Sequence, residues 1–322
     1  MGGLSVEREV SLRTGAAVQK ALVERGFDAV GIDVGPDIDG RLRAEKIEIA
    51  FNALHGKFGE DGCIQGLLEL QRSPYTGSDL LSSALAMNKA KAKEVFRLYN
   101  IPTPPYYTIR RDDIEQLSAR ARSRSLPVFV KPVAEGSSVG GRIAGTPEEL
   151  EDAVRVALTF DNEVLVEKYI PGMEVSVGVL DGEAIGAVEI VPKLGAFYDY
   201  ASKYTPGGSE YHIPPRLSET RREGVLRLAE QAHRALGCGG VTRVDFIVSD
   251  GGNEWVLELN TLPGMTETSL IPKLAAARSI SFGDLCEGLL WGAALGGVVQ
   301  FRRPARLGEL IPSLDVAARV AE

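Results

Sequence analysis

The chain has 322 residues, of which 44% are hydrophobic and 25% charged, and it carries a net charge of −8. At about 150 residues per domain this is two or three soluble domains, and no charge-free apolar stretch reaches the roughly 18 residues of a membrane span. The acidic balance excludes a general nucleic-acid binder, which needs a basic footprint, but leaves room for an anionic ligand met by local lysines.

Residues 1–9 carry neither the apolar core of a signal peptide nor a basic transit pattern. Residues 8–25 place Val10, Ala17, Val18, Ala21 and Leu22 at helical spacing, and Gly26 stops the helix. Residues 27–34 and 47–54 are apolar runs of strand length, and a helix around 63–70 follows the loop 55–62. This alternation predicts a parallel sheet with ligand loops at its strand ends. Residues 80–99 read as one helix closed by Asn100, Pro102, Pro104 and Pro105, a domain boundary.

The next block has a strand at 127–132, the loop 135–141, and a helix opened by a capping box of Thr146, Pro147 and Glu149. A strand at 164–170 ends at Pro171-Gly172. The last block is β-rich. Strands at 175–180 and 184–191 flank Asp181-Gly182, a strong hairpin signal. After a helix near 218–236 come strands at 241–248 and 254–260, joined by Asp250-Gly251-Gly252-Asn253.

That last hairpin is the most informative element. Alternate side chains share a face, so Arg243 and Asp245 point one way and Val244, Phe246 and Val248 the other. On the partner strand Glu258 and Asn260 share a face, with Leu257 and Leu259 opposite. A turn centred between Gly251 and Gly252 sets Asp245 against Glu258 and Arg243 against Asn260. Facing carboxylates repel unless a cation lies between them. Two readings stand: a hard-cation site, above all magnesium, or a solvated sheet face on which Arg243 pairs the acids. The following loop, 261–269, is rich in glycine and small hydroxyls and adds weight to the first.

The loop 135–141 follows a strand carrying Lys131 and can cradle phosphates with backbone N–H groups. It is neither a P-loop nor a dinucleotide fingerprint, and a plain turn is the other reading. Taken singly, Lys89 reads as a solvated helix lysine, Glu7 as a dipole-favoured acid, His55 as structural and Glu167 as surface, while Lys203 and Tyr204 sit in a polar loop. Cys63, Cys238 and Cys286 are odd in number and far apart, which excludes a disulfide framework and a CxxC site. Three histidines at no ligand spacing argue against structural zinc. A reducing cytoplasm fits.

An ordered set of motifs runs through about residues 1–290. It comprises Gly2-Gly3-Leu4-Ser5-Val6-Glu7-Arg8-Glu9-Val10-Ser11-Leu12, Ala53-Leu54-His55-Gly56, Gly59-Glu60-Asp61-Gly62 and Pro74-Tyr75-Thr76-Gly77-Ser78. Lys131-Pro132, the loop 135–140, Phe197-Tyr198-Asp199-Tyr200 with Lys203-Tyr204, and 258–266 complete it. Together these resemble the D-alanine–D-alanine ligases of the ATP-grasp superfamily.

The resemblance implies an α/β, three-domain ATP-grasp architecture. Residues 1–78 would form a parallel α/β substrate-binding domain, 79–169 a central α+β subdomain, and 170–291 a C-terminal, β-rich α+β subdomain with the metal site. Residues 292–322 have no counterpart, and the basic knot 301–306 reads as a solvated tail. The family opens with an apolar strand that leads into the glycine loop. Here the chain opens on the loop, so the central strand of the first sheet is expected to be missing, with the start upstream or the domain damaged, and Glu7 lies just past the gap.

The implied activity is ATP-dependent ligation of two D-alanines through a D-alanyl phosphate, for peptidoglycan precursor synthesis. By the same resemblance, Lys89, Lys131, Glu167, Lys168, Ile170 and Glu174 would bind ATP, and Lys203 would reach its γ-phosphate. Asp245, Glu258 and Asn260 would hold two Mg2+ (or Mn2+) ions. Glu7 would bind the first D-alanine's ammonium near His55, and Glu7, Ser137 and Tyr204 would form a triad closing the site. Arg243 and the Gly264 N–H would face the oxyanion, and Ser269 and Leu270 would hold the second carboxylate. Tyr204 is similar to the dipeptide-forming members. A cytoplasmic homodimer is implied, with no nucleic-acid or membrane partner. The alternatives are a D-Ala–D-Ser or other ATP-grasp carboxylate–amine ligase, or an inactive nucleotide-binding homologue.

Overall fold

The computed structural model describes residues 1–116, 125–137, 139–195, 197, 198, 202, 205, 207–266 and 268–299. Helix α1 (Arg8–Glu24) forms where the spacing places it, buries Val10, Val18, Ala21 and Leu22, and stops at Gly26, whose φ of +86° suits glycine. Helices α2 (Ile38–Ala44) and α3 (Cys63–Gln71) follow.

The apolar runs 27–34 and 47–54 do not form the expected strands; the nearest thing to a sheet is a single parallel bridge from Ala50 to Tyr75. The reason is visible between them. An apolar cavity of about 600 Å3 separates the two runs, and a strand without a neighbour has no partner for its backbone N–H and C=O groups on that edge.

The expected helix over 80–99 is two helices, α4 (Leu80–Met87) and α5 (Lys89–Leu98). Asn88 leaves the helical conformation (φ −82°, ψ 94°), and its side chain accepts from Lys91 N at 3.0 Å, capping α5. The break makes Lys89 the first residue of α5.

The central block is a four-stranded antiparallel sheet in the order β1 (Tyr106–Arg110), β4 (Glu163–Lys168), β2 (Val128–Pro132), β3 (Arg142–Ala144). Helix α6 (Pro147–Ala157) covers it, packing Leu150, Ala153 and Val154 on Val130, Val164 and Val166. Thr146 accepts from Glu149 N at 3.2 Å as the capping box requires, but Glu149 reaches back to Gly145 N, at 2.7 Å, not to Thr146 N.

The last block is a five-stranded antiparallel sheet ordered β7 (Ser209–His212), β6 (Glu183–Pro192), β5 (Met173–Leu180), β8 (Val241–Val248), β9 (Glu254–Asn260). Asp181 and Gly182 both have positive φ, +47° and +89°, the type I′ geometry that keeps β5 and β6 twisted together. One face packs Val175, Val177 and Val179 under helix α7 (Glu219–Ala235). The other packs Ile185, Val188 and Ile190 against α8 (Leu270–Ala277), α9 (Phe282–Trp291) and α1.

Beyond Trp291 the chain returns to the first block. Ala294 bridges Tyr75, and Ala294–Leu295 pairs with Val298–Val299. The basic knot 301–306 lies outside the described residues. None of the described helices is long and apolar enough to cross a membrane.

Candidate active site

The β8–β9 pair sets Asp245 opposite Glu258 and Arg243 opposite Asn260, the expected pairs, but its turn is centred on Gly251, with Val248 opposite Glu254, and not between Gly251 and Gly252. Nearer the turn the register shifts by one, because Leu257 is a bulge residue. Leu257 therefore leaves the apolar face that simple alternation gives it and lines a polar cleft, while Val244, Phe246, Val248 and Leu259 stay buried on the far side.

Arg243 grips Asp245 in a bidentate pair, Nε to Oδ1 at 2.9 Å and Nη2 to Oδ2 at 2.8 Å, and Ser176 Oγ donates to Asp245 Oδ1 at 2.5 Å. Burial opposes the Arg243 charge, but Asp245 and Glu258 outweigh it and hold the guanidinium above its ordinary range. Glu258 faces two lysines, with Lys131 Nζ at 3.6 Å and Lys89 Nζ at 3.7 Å. Asn260 Oδ1 accepts from Leu262 N at 2.9 Å and turns the chain into the loop that follows. Among the described residues no three His, Cys, Asp or Glu side chains converge as a metal cluster. Asp245, Glu258 and Asn260 nevertheless form an oxygen-only donor set on one sheet face, which suits a hard divalent cation.

Beneath this face lies a buried charge network. Lys131 on β2 lies 2.9 Å from Glu167 Oε2 on β4, and Lys93 on α5 lies 2.5 Å from Glu167 Oε1. Burial pushes the Glu167 carboxyl up, yet Lys131 and Lys93 hold it below its ordinary value. Burial lowers Lys131, but Glu167 and Glu258 raise it past its ordinary value. Three lysines (89, 93, 131) face two glutamates (167, 258), so the network carries surplus positive charge toward an anion.

Lys93 was not among the residues singled out by sequence. It is wholly buried, donates to Thr103, and burial brings its ammonium down to about 8. Its signal was its position four residues after Lys89, on the same helix face.

Two clefts meet at the β8–β9 hairpin. The first, about 150 Å3, is lined by Lys89, Lys131, Glu167, Lys168, Ile170, Glu174, Asp245 and Glu258. Phe129 packs edge-on against Phe197 there at 5.0 Å, and Glu174 Oε1 accepts from Tyr198 N at 3.1 Å. The second, about 460 Å3, is lined by Glu7, His55, Ser137, Arg243, Asn260, Gly264, Ser269 and Leu270. Every sequence-selected residue that is described lines one cleft or the other. Lys203, Tyr204, Asp199 and Tyr200 lie outside the described residues.

In the second cleft Ser137 Oγ donates to Glu7, joining the start of α1 to the 135–141 loop. His55 is held by Thr14 Oγ1 at 3.0 Å from Nε2 and by Glu60 at 3.5 Å from Nδ1. Glycine is required at 136, where a Cβ would stand 2.5 Å from Glu7 Oε2. Gly136→Ala is expected to push the Glu7 carboxylate off Ser137 and lower kcat/KM on the order of 100-fold, since small misplacements have effects of that size. Steady-state kinetics beside a melting curve checks this, with Tm expected to hold.

Two family models match this chain, "D-ala D-ala ligase C-terminus" over residues 95–291 and "D-ala D-ala ligase N-terminus" over residues 36–78. The chain belongs to the D-alanine–D-alanine ligase family. A curated D-alanine–D-alanine ligase of Anaeromyxobacter sp. (strain K) is 52% identical over 294 residues, 91% of this chain and 95% of its own length. Another, from Geobacter sulfurreducens, is 52% identical over 296 residues, covering 92% of this chain and 93% of its own. The crystal structure of the Bacillus anthracis D-alanine–D-alanine ligase complexed with ATP superposes with a TM-score of 0.77 at 32% identity, covering 99% of this chain and 97% of that one. The VanG D-Ala:D-Ser ligase of Enterococcus faecalis superposes at 0.75 with 31% identity, covering 89% and 96%. Of the ligase-family residues selected above, Glu7 and Lys89 lie outside both model matches, and the rest fall within one.

Proposed function

We propose that this chain is an ATP-dependent ligase that joins two D-alanines into D-alanyl-D-alanine for peptidoglycan precursor synthesis. The observation that carries the reading is the meeting of two clefts at one hairpin, with a lysine-rich cleft on one side and a cleft lined by Glu7, Arg243 and Ser269 on the other.

A carboxylate is a poor acyl electrophile. The γ-phosphoryl group passes from ATP to the first D-alanine's carboxylate oxygen, and the second D-alanine's amine displaces phosphate from that acylphosphate. In this reading Lys89 and Lys131 neutralise phosphate charge, and Glu167, Lys168, Ile170 and Glu174 seat the nucleotide. Asp245, Glu258 and Asn260 would hold two magnesium (or manganese) ions, which when bound would supply charge neutralisation at the phosphoryl group. Glu7 takes the ammonium of the first amino acid beside His55. Arg243 and the Gly264 N–H donate to the tetrahedral oxyanion, where one well-placed donor contributes about 3–4 kcal/mol. Ser269 and Leu270 hold the second carboxylate. The Glu7–Ser137 contact keeps water from the acylphosphate; the roles expected of Tyr204 and Lys203 fall on residues outside the described ones.

The assembly we propose is a cytoplasmic homodimer. Three free cysteines suit a reducing compartment.

The test is phosphate release from ATP. It is expected to require both D-alanine and magnesium, with D-alanyl-D-alanine as product. ATP binding without turnover overturns the ligase reading. A depsipeptide or a D-Ala–D-Ser product in preference to D-Ala–D-Ala overturns the substrate assignment alone.

A further inference from the structure

Two loops from different blocks close on one oxygen of the Glu7 carboxylate. A Cβ on Gly56 and a Cβ on Gly136 would each stand 2.5 Å from Glu7 Oε2. The residue after the first glycine is Lys57, and the residue before the second is Glu135. Beside the glycine contact these two side chains meet as an ion pair, Lys57 Nζ on Glu135 Oε1. The same ammonium donates to Phe160 O at 3.4 Å, just past the C-terminal end of α6, the helix end that favours a cation. Lys57 lines neither cleft.

Both sides of this pair are anchored. Gly59 N and Glu60 N donate to Gly56 O at 3.1 and 2.9 Å, and Phe58 N donates to Asp61 Oδ2 at 2.8 Å, so the turn carrying Lys57 is set. Across from it, Ala134 N donates to Asp161 Oδ2 at 2.8 Å, and Lys89 Nζ donates to Glu135 O at 2.6 Å. Glu135 is thus used twice. Its carbonyl orients a lysine of the first cleft, and its carboxylate lines that same cleft. The carboxylate is only 11% exposed, so water screens it poorly. A bare acid at the edge of a cleft built for phosphates repels them.

We propose that Lys57 is a positioning residue for the nucleotide cleft. It cancels the Glu135 charge from outside the cleft, and it fixes Glu135 so that the carbonyl stays on Lys89. It acts through Glu135 and touches no reactant. The inference rests on the ATP-dependent reading above and adds to it a residue from the first block.

The test is the Kd for ATP in magnesium buffer without D-alanine, read by calorimetry, with a melting curve for each protein. Lys57→Met leaves the Glu135 carboxylate in place without its partner, and Kd is expected to rise about fivefold. Lys57→Arg keeps the charge, and the double variant Lys57→Met/Glu135→Gln removes the repelling acid as well. Both are expected to recover most of that loss, with Tm within a few degrees throughout. A Kd for Lys57→Met within about twofold of the parent's overturns the proposal, being no more than an exposed pair of little consequence. So does a double variant as weak as Lys57→Met, which would place the effect in packing and not in Glu135. Should Lys57→Met fail to fold, Lys57→Gln is read in its place. The measurement needs no turnover. A parent that binds ATP but releases no phosphate with D-alanine therefore overturns the ligase reading alone, and the Kd series still decides the role of Lys57.

Discussion

Glu258→Gln is expected to lower kcat on the order of 1,000-fold while leaving the fold intact. The amide keeps the size of the side chain and its place opposite Asp245 in the β8–β9 register. What it loses is charge. Glu258 is the carboxylate that faces both Lys131 and Lys89 from the sheet, and it is one of two acids in the oxygen donor set. Without it a divalent cation bound there would lose a charged ligand, and the two lysines lose one facing carboxylate, while Lys131 keeps Glu167 and Lys89 keeps the Glu135 carbonyl. Electrostatic stabilisation of this kind acts in the transition state and is worth several kcal/mol at one site. The measurement is phosphate release at saturating ATP and D-alanine, repeated across a magnesium titration. Half-maximal activity is expected at a higher magnesium concentration, with Tm within a few degrees of the parent. Activity equal to the parent's at ordinary magnesium refutes the role given to Glu258. The Asp245 side of the pair is held differently, by Arg243 and Ser176. Asp245→Asn is thus a poorer probe, because it also breaks the bidentate grip on a buried guanidinium.

The hairpin that carries this pair is also where sequence reading reaches furthest. Alternation was enough to put Asp245 and Glu258 on one face, because the apolar face of β8 and β9 must be buried and a slip of one residue turns it outward, but the turn is centred on Gly251 and it is the bulge at Leu257 that brings the two acids opposite each other. The Leu257 bulge was not legible, since a bulge moves one residue out of alternation without changing composition. Asn88 was missed for a related reason. A helix-capping asparagine inside a helical pattern looks like a tolerated polar residue until its side chain is seen on Lys91 N. The first sheet failed on neighbours: residues 27–34 and 47–54 have strand composition, but a strand is defined by what lies beside it, and here a cavity does. For the site, single residues said little. Lys89 on a helix and Glu167 on a strand have unremarkable local contexts, and only the ordered motif set assigned them. Lys93 escaped even that, because burial of a helix lysine depends on Glu167, far away in sequence.

Lys93→Met is expected to destabilise the protein and to weaken ATP binding, and the two effects have one cause. Lys93 is wholly buried beneath the first cleft, where it shares Glu167 with Lys131. Removing one partner of a buried ion pair costs about 3–5 kcal/mol, because the remaining charge stays desolvated; for a chain of this size that is a Tm loss of roughly 5–10 °C. Glu167 then draws on Lys131 alone, and Lys131 turns from Glu258 and the cleft toward Glu167. KM for ATP is expected to rise about tenfold or more, with a smaller change in kcat. A Lys93→Met/Glu167→Gln double variant separates this from plain loss of packing. It removes both charges, so it is expected to lose less stability than the single variant, by a coupling of about 1–3 kcal/mol. Equal or additive losses deny that Lys93 acts through Glu167. The pH dependence gives an independent reading. The folded Lys93 ammonium titrates near 8, below the ordinary lysine value of 10.5. Between those limits the unfolded chain binds more protons than the native one at this site, so its contribution to stability rises with pH there. Glu167 has the same sign in a lower pH window. Its carboxyl is held below the ordinary 4.5, so its contribution is present above that value and is lost as pH falls through the lower folded value. In Lys93→Met the alkaline rise is expected to vanish, and the acid loss to begin at higher pH, because one of the two lysines that lower Glu167 is gone. Denaturant melts of parent and variant from pH 3 to pH 10 read both limbs. An unchanged alkaline limb would show that another group titrates there.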